Sequence, residues 1–80
     1  MSSQWTYKYK DNTIVVKNDG VIELLVNNEI QDKKEGIRIQ VDLSGKLSTG
    51  ESIKASLGGF WSTKCHLFVD NVLQEPIETL

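Results

Sequence analysis

The chain has 80 residues, room for one domain, and its 39% hydrophobic and 25% charged residues are typical of a folded protein. Its net charge of −2 argues against a nucleic-acid binder, because phosphate contacts demand a basic surface. The single cysteine excludes an intramolecular disulfide, no apolar run could cross a membrane, and no signal-peptide pattern opens the chain, so we expect a cytoplasmic protein that binds no membrane.

The first predicted element is a strand in which aromatic and polar residues alternate. Trp5, Tyr7 and Tyr9 share one side, with Thr6 and Lys8 between them. A period of two is typical of a half-buried strand, which has one face on the core and one in water. Residues 11 and 12, an Asp-Asn pair, predict a turn into a second strand over residues 13–17.

The next elements form a predicted hairpin. The turn residues 18–20 lead into an apolar run over residues 21–26, and Asn27 and Asn28 follow as a two-residue loop. Asn tolerates the positive φ that a type I′ turn requires at both central positions. Strand-like residues resume at Glu29, so we expect a tight antiparallel hairpin here.

Alternation continues in the second half, over residues 37–43, 53–57 and 65–69, and Asp70-Asn71 supplies another two-residue loop. Phe68 is the one apolar residue on the polar side of its run. No amphipathic stretch reaches helical length. The sequence therefore predicts an all-β fold, a small antiparallel β-sandwich or flattened barrel of about eight strands in a single domain over residues 1–80.

An internal repeat is visible around the two predicted hairpins. Residues 24–32 match residues 67–75, with four of the nine positions identical. Upstream, Thr13 stands in the place of Ser52. We therefore predict two copies of a hairpin unit, approximately residues 4–35 and 37–78, related by a pseudo-twofold axis.

The order of these elements resembles a known family. Two hairpins turn at Val-Asn/Asp-small motifs, residues 26–28 and 69–71, and they enclose a strand that ends in Leu-Ser-Gly-Lys at residues 43–46. This pattern resembles the β-domain of Fas apoptotic inhibitory molecule, and also small uncharacterised proteins of Gram-positive bacteria. The resemblance implies a non-catalytic antiparallel β-sandwich and assigns no functional residue.

Cys65 and His66 are the only Cys/His pair. On a strand, neighbouring side chains point to opposite faces, so the two cannot converge on one atom. Cys65 shares its side with Leu67 and Val69, which indicates a buried, inert thiol. We expect no catalytic residue, no metal site and no cofactor, and hence no enzyme.

Aromatic residues are the candidates for a ligand site. Phe60 and Trp61 follow two glycines, and Tyr7 lies on the first strand. Such side chains can stack on sugars or contact proteins, although alternation on a first strand is more typical of a core. A small-ligand or carbohydrate-binding β domain that uses Trp61, Phe60 and Tyr7 is therefore the alternative hypothesis.

The preferred hypothesis rests on apolar residues on the second face of each hairpin. Leu25 and Ile30 in the first copy, and Phe68 and Leu73 in the second, occupy matching positions. Either these residues are buried inside the domain, or they form a patch for a partner. We expect a non-enzymatic protein-interaction or self-association module, with another protein or a second copy as partner and a homodimer as one form.

Overall fold

The computed structural model describes residues 3–35, 40–59 and 63–80. Strands are the only regular secondary structure in these residues, which confirms the predicted all-β class. The strands are β1 (Ser3–Tyr9), β2 (Asn12–Asn18), β3 (Val21–Val26), β4 (Glu29–Glu35), β5 (Gln40–Lys46), β6 (Ser52–Gly58), β7 (Lys64–Val69), β8 (Val72–Gln74) and β9 (Glu78–Thr79).

Two antiparallel sheets make up the fold, which is a small β-sandwich. The first sheet has the order β4-β3-β2-β1-β9, and the second has the order β5-β6-β7-β8. Each half of the chain therefore contributes one meander, and the short β9 returns to the first sheet beside β1. The chain crosses between the sheets twice, from β4 to β5 and from β8 to β9, at opposite edges of the sandwich.

The core lies between the two inner faces, and alternation along each strand fills it. Every buried side chain of the described residues is apolar. Because successive strand residues point to opposite faces, every second side chain of a strand reaches the interior, and these side chains are mostly apolar. The core consists of Trp5, Tyr7, Ile14, Val16, Ile22, Leu24, Val26, Val41, Leu43, Leu47, Ile53, Ala55, Leu57, Leu67 and Val69.

The two predicted two-residue loops are confirmed. Val26 pairs with Glu29 and Val69 pairs with Val72, so two residues remain in each loop. All four loop residues have positive φ, as a type I′ turn needs. Their φ angles are 50° for Asn27, 69° for Asn28, 48° for Asp70 and 66° for Asn71.

The first turn lies one residue earlier than the sequence predicts. Tyr9 pairs with Asn12, which leaves Lys10 and Asp11 as the loop. Lys10 has a φ of 53°, a conformation that is uncommon for a lysine. Asn12 is therefore a strand residue, and its side chain accepts a hydrogen bond from Asn27 Nδ2 at 3.1 Å.

The two hairpin loops are held in the same way. In the first half, the Thr13 amide donates to Asn27 Oδ1 at 3.0 Å, and the Asn27 amide donates to the Thr13 carbonyl at 2.8 Å. In the second half, the Ser52 amide donates to Asp70 Oδ1 at 2.9 Å, and the Asp70 amide donates to the Ser52 carbonyl at 2.9 Å. Each loop is thus tied by a matching pair of bonds to the strand that precedes its hairpin, β2 in the first half and β6 in the second.

A β-bulge distinguishes the first hairpin from the second. Leu25 pairs with Ile30, but Leu24 pairs with Asp32, so Gln31 is an extra residue in β4. Gln31 approaches β5 closely, and a Cβ atom placed on Gly45 would lie 2.9 Å from the Gln31 Cβ. This contact brings the edge of the first sheet against the edge of the second.

Side chains of β4 close the seam between β4 and β5, which we call the sealed side. The Ser44 amide donates to Asp32 Oδ2 at 3.0 Å, and Lys34 Nζ donates to the Asp42 carbonyl at 2.6 Å. An edge strand exposes unpaired N–H and C=O groups, and these bonds satisfy two of those on β5. Two main-chain groups of β5 are therefore no longer free to pair with another chain.

Candidate interaction surface

Exposed apolar side chains are concentrated at one edge of the sandwich. Of the five large apolar side chains that are exposed among the described residues, four lie in the last nine positions. Their exposed fractions are 61% for Val72, 49% for Leu73, 63% for Ile77 and 68% for Leu80, and the fifth residue is Ile30 with 55%. We call the edge formed by β8, β9 and these four residues the open side.

Backbone groups hold the C-terminal segment to β1 on the open side. The Gln4 amide donates to the Leu80 carbonyl at 3.0 Å, and the Leu80 amide donates to the Gln4 carbonyl at 2.7 Å. The Ile77 amide donates to the Thr6 carbonyl at 2.7 Å. The segment is fixed by its main chain, while its apolar side chains remain exposed.

No strand of the described chain pairs with the outer edges of β8 and β9, because each ends its sheet. Both strands are short, with three and two residues, so a chain that pairs with either of them forms few main-chain bonds. Val72, Leu73 and Gln74 carry no charge. The open side thus combines free main-chain edges with apolar side chains, unlike the sealed side.

The structure pairs the residues that the sequence proposed as an interface. Leu25 lies opposite Ile30, and Phe68 lies opposite Leu73, each pair on the outer face of its sheet. Leu25 and Phe68 are half-buried and do not belong to the core. Of the two arrangements considered, burial inside the domain is therefore not what the structure has.

The two outer-face pairs lie in different surroundings. Ile30 is in β4, beside the sealed side, and Val15 extends its pair into a row across three strands. Leu73 is in β8 and belongs to the open side as well as to the outer face. Sequence reasoning did not identify Ile77 and Leu80, because residues 75–80 show no periodic pattern.

A shallow groove of about 420 Å³ runs along the outer face of the second sheet beside Phe68. Lys34, Lys54, Ser44 and Ser56 line it, and Phe68 forms part of its wall. The lysines and serines face water, and Lys34 already donates to the Asp42 carbonyl. The groove extends from Phe68 across β6 to β5, on the side away from β8.

Replacement of Phe68 tests its position on the outer face. Phe68→Ser is expected to lower the free energy of unfolding by about 1–2 kcal/mol, since only part of the ring is withdrawn from water. Chemical denaturation of the wild type and the variant measures this difference. A loss as large as that caused by truncation of the buried neighbour Leu67 would contradict the outer-face position.

Of the three residues of the alternative ligand site, Tyr7 alone is among the described residues. Trp61 and Phe60 lie outside the described residues. Tyr7 is 1% exposed and is part of the core, so it offers no surface for a ligand. The reason is the pleat, since Tyr7 points to the same inner face as Trp5 and packs beneath the second sheet.

Tyr7 instead contacts the only cysteine. Its hydroxyl donates a hydrogen bond to Cys65 Sγ at 3.4 Å. Burial raises the pKa of Tyr7 far above its ordinary value, and the contact with Cys65 adds to this. Burial also raises the pKa of Cys65, while the bond from Tyr7 partly offsets that shift. The sequence predicted a buried Cys65, but in the structure the side chain is half-buried. At neutral pH it remains a protonated thiol.

The reactivity of Cys65 follows from its raised pKa. At pH 7 we expect a thiol reagent to label the native protein more slowly than the urea-unfolded chain, since the raised pKa of Cys65 lowers its thiolate fraction and burial limits access to the sulfur. Tyr7→Phe should slow native labelling further, because it removes the bond that lowers the pKa. Native labelling as fast as that of the unfolded chain would contradict this account.

Two further features, a metal site and a membrane-spanning helix, are not found among the described residues. No group of three or more His, Cys, Asp or Glu side chains there could hold a metal ion. Within residues 3–35, 40–59 and 63–80, no helix is long and apolar enough to span a membrane.

Comparison of the chain with protein-family models, curated proteins and solved structures finds no match. The resemblance to the β-domain of Fas apoptotic inhibitory molecule therefore stays a prediction.

Proposed function

We propose that this protein is a non-enzymatic interaction module that binds another protein or a second copy of itself through its open side. The observation that carries the proposal is the concentration of exposed Val72, Leu73, Ile77 and Leu80 along the free edges of β8 and β9. Exposed apolar patches on small proteins mark interaction sites.

The contrast between the two edges of the sandwich supports the proposal. At the sealed side, Asp32 and Lys34 satisfy main-chain groups of β5. At the open side, the described residues provide neither such bonds nor a charged side chain on β8. Extended segments of other proteins bind to edges of this kind by adding a strand, with main-chain bonds for affinity and side chains for specificity.

The outer-face residues contribute to the same surface at one point. Phe68 lies directly across β7–β8 from Leu73, so a partner that covers Leu73 also reaches Phe68. Leu25 and Ile30 lie on the other sheet and next to the sealed side. We therefore place Leu73 and Phe68 in the interface and leave Leu25 and Ile30 outside it.

The cytoplasm is the proposed compartment. The single cysteine, half-buried and unpaired with any other cysteine, suits a reducing environment.

A photo-crosslinking amino acid at position 77 tests the proposed surface in cells. The same amino acid at position 30 is the matched control, because Ile30 is similarly exposed but lies beside the sealed side. We expect a discrete adduct from position 77 and none from position 30. Absence of an adduct from position 77, or equal adducts from both positions, would contradict the proposal.

A gene duplication is the proposed origin of the two halves. Matching meanders, matching loops and the matching bonds of Asn27 and Asp70 support it. If the loops are equivalent, the exchanges Asn27→Asp and Asp70→Asn should each change stability by less than Asn27→Ala and Asp70→Ala, which remove a bond worth about 1 kcal/mol and place Ala at positive φ. Thermal melts of the four variants would show whether the exchanges are as harmful as the truncations.

A further inference from the structure

We infer that the open side is self-complementary and that two copies of this chain pair through β8, antiparallel about a twofold axis at Leu73. The result would be one eight-stranded sheet built from two four-stranded sheets. This inference rests on the proposed function, since it identifies the partner that the open side binds.

The N–H and C=O groups of Leu73 point away from the sheet. The Asp70 amide, directly after β7, donates to the carbonyl of Ser52, the first residue of β6. Because the direction of the main-chain groups alternates along a strand, the even-numbered residues of β7 also direct theirs toward β6. Odd-numbered residues of β7 then face β8, and Val69 bonds with Val72 next to the loop. The next pair, Phe68 and Leu73, is not hydrogen-bonded, so both groups of Leu73 are free at the edge.

Pairing about Leu73 matches the residues on either side of it. A twofold axis at this residue places Leu73 opposite Leu73 of the second copy, with two reciprocal main-chain hydrogen bonds. Val72 then lies opposite Gln74 of the second copy, and Asn71 lies opposite Glu75. No charged residue meets one of the same sign, which would oppose pairing.

The same arrangement joins apolar side chains across the axis. Leu73 points to the outer face, where Phe68 is its neighbour within the chain. In the pair of copies, two Leu73 side chains meet at the axis, and each Phe68 lies behind its own leucine. A small domain buries little apolar surface by itself, so this cluster adds burial where the monomer has exposed residues.

The corresponding strand of the first half cannot pair in this way. Ile30 takes the place of Leu73 there, but the bulge at Gln31 interrupts β4 directly after it. Asp32 and Lys34 of the same strand are engaged with β5. A bulge and a covered edge are devices that prevent edge-to-edge pairing, and β8 has neither.

The choice of a second copy over a foreign segment follows from the sequence of β8. Its three residues are uncharged, so two copies of the strand can pair without repulsion. The flanking residues Asn71 and Glu75, which lie opposite each other in the antiparallel pair, do not carry like charges. Because the strand is short, the interface is small, and the association is expected to be weak and dependent on concentration.

Disulfide trapping tests the pairing directly. Leu73→Cys is made in a Cys65→Ala background, and Ile30→Cys in the same background is the matched control. In an antiparallel hydrogen-bonded pair the Cα atoms are about 5.5 Å apart, within the range that a disulfide spans. Under mild oxidation we expect a covalent dimer from Leu73→Cys at least about tenfold faster than from Ile30→Cys.

Sedimentation from micromolar to millimolar concentration provides the second measurement. The wild type is expected to shift reversibly from monomer to dimer, and Leu73→Pro to remain monomeric with its thermal transition retained. Proline is tolerated on an edge strand where the lost N–H points outward, so this variant removes intermolecular bonds and no ladder bond within the sheet. If Leu73→Pro fails to fold, the cysteine pair decides the question.

The outcomes separate this inference from the proposed function. A wild type that is monomeric throughout, or equal trapping at positions 73 and 30, would overturn pairing through β8. If, in addition, the crosslinker at position 77 forms an adduct with a different protein, the interaction module stands and its partner is foreign. If position 77 forms no adduct, the proposed function also fails.

Discussion

Leu24→Ala and Leu67→Ala are each expected to lower the free energy of unfolding by about 3–5 kcal/mol, the range typical of large core truncations. Both side chains are 0% exposed and lie at matching positions, on β3 and β7, each of which has a neighbouring strand on both sides. A domain of this length has about 4–12 kcal/mol of stability, so each variant loses a large share of it. Urea denaturation followed by intrinsic fluorescence measures the loss.

The neighbour Leu25 is the matched control for these truncations. It has the same side chain as Leu24, is one position further along the same strand, and faces outward in a half-buried position. Leu25→Ala is expected to cost about 1 kcal/mol, because less apolar surface returns to water and no closed cavity forms. Equal losses for Leu24→Ala and Leu25→Ala would mean that the outer face of the first sheet is also covered.

Period-two alternation is the reason why so much of the fold could be predicted. The rule that assigns Leu24 to the core and Leu25 to the outer face needs only the pleat of a strand. The loops were equally predictable, because Asn27-Asn28 and Asp70-Asn71 tolerate positive φ and fix the pairing of both hairpins. Those two facts establish which residues of each hairpin lie opposite one another.

Features that depend on contacts between the sheets could not be predicted from local patterns. The Gln31 bulge places Gln31 outside the ladder, although the identical Gln74 in the second half pairs normally with Leu67. What distinguishes them is β5, which follows β4 in the chain but approaches it from the other sheet. The sealed side follows from this approach, whereas β8 has no strand of the described residues along its outer edge.

The candidate surface was only partly predictable for a related reason. Leu73 was proposed because it breaks the expected polarity of its hairpin face, a signal that the sequence shows directly. Ile77 and Leu80 carry no such signal. They flank the two-residue strand β9, and its position in the fold depends on pairing with β1, which is distant in sequence. Tyr7 was considered for a ligand site as an aromatic residue, but its place in the alternation assigns it to the core.

Gly45→Ala tests the close approach on which the sealed side depends. The new Cβ atom would lie 2.9 Å from the Cβ of Gln31, and a Cβ cannot rotate away as the end of a flexible side chain can. Either β4 or β5 must therefore move, which also strains the bond from the Ser44 amide to Asp32 Oδ2. We expect a loss of about 1–3 kcal/mol in the free energy of unfolding, as for other overpacked sites.

A second substitution on β4 identifies the cause of that loss. Gln31→Gly removes the opposing Cβ, so Gly45→Ala should cost clearly less in the Gln31→Gly background than in the wild type. The double-mutant cycle, measured by urea denaturation, gives the coupling between the two positions. Asp32 and Lys34, which follow Gln31 on β4, also hold β4 against β5. A coupling near zero would therefore mean that the two edges do not meet at this point and that the sealed side is open in solution.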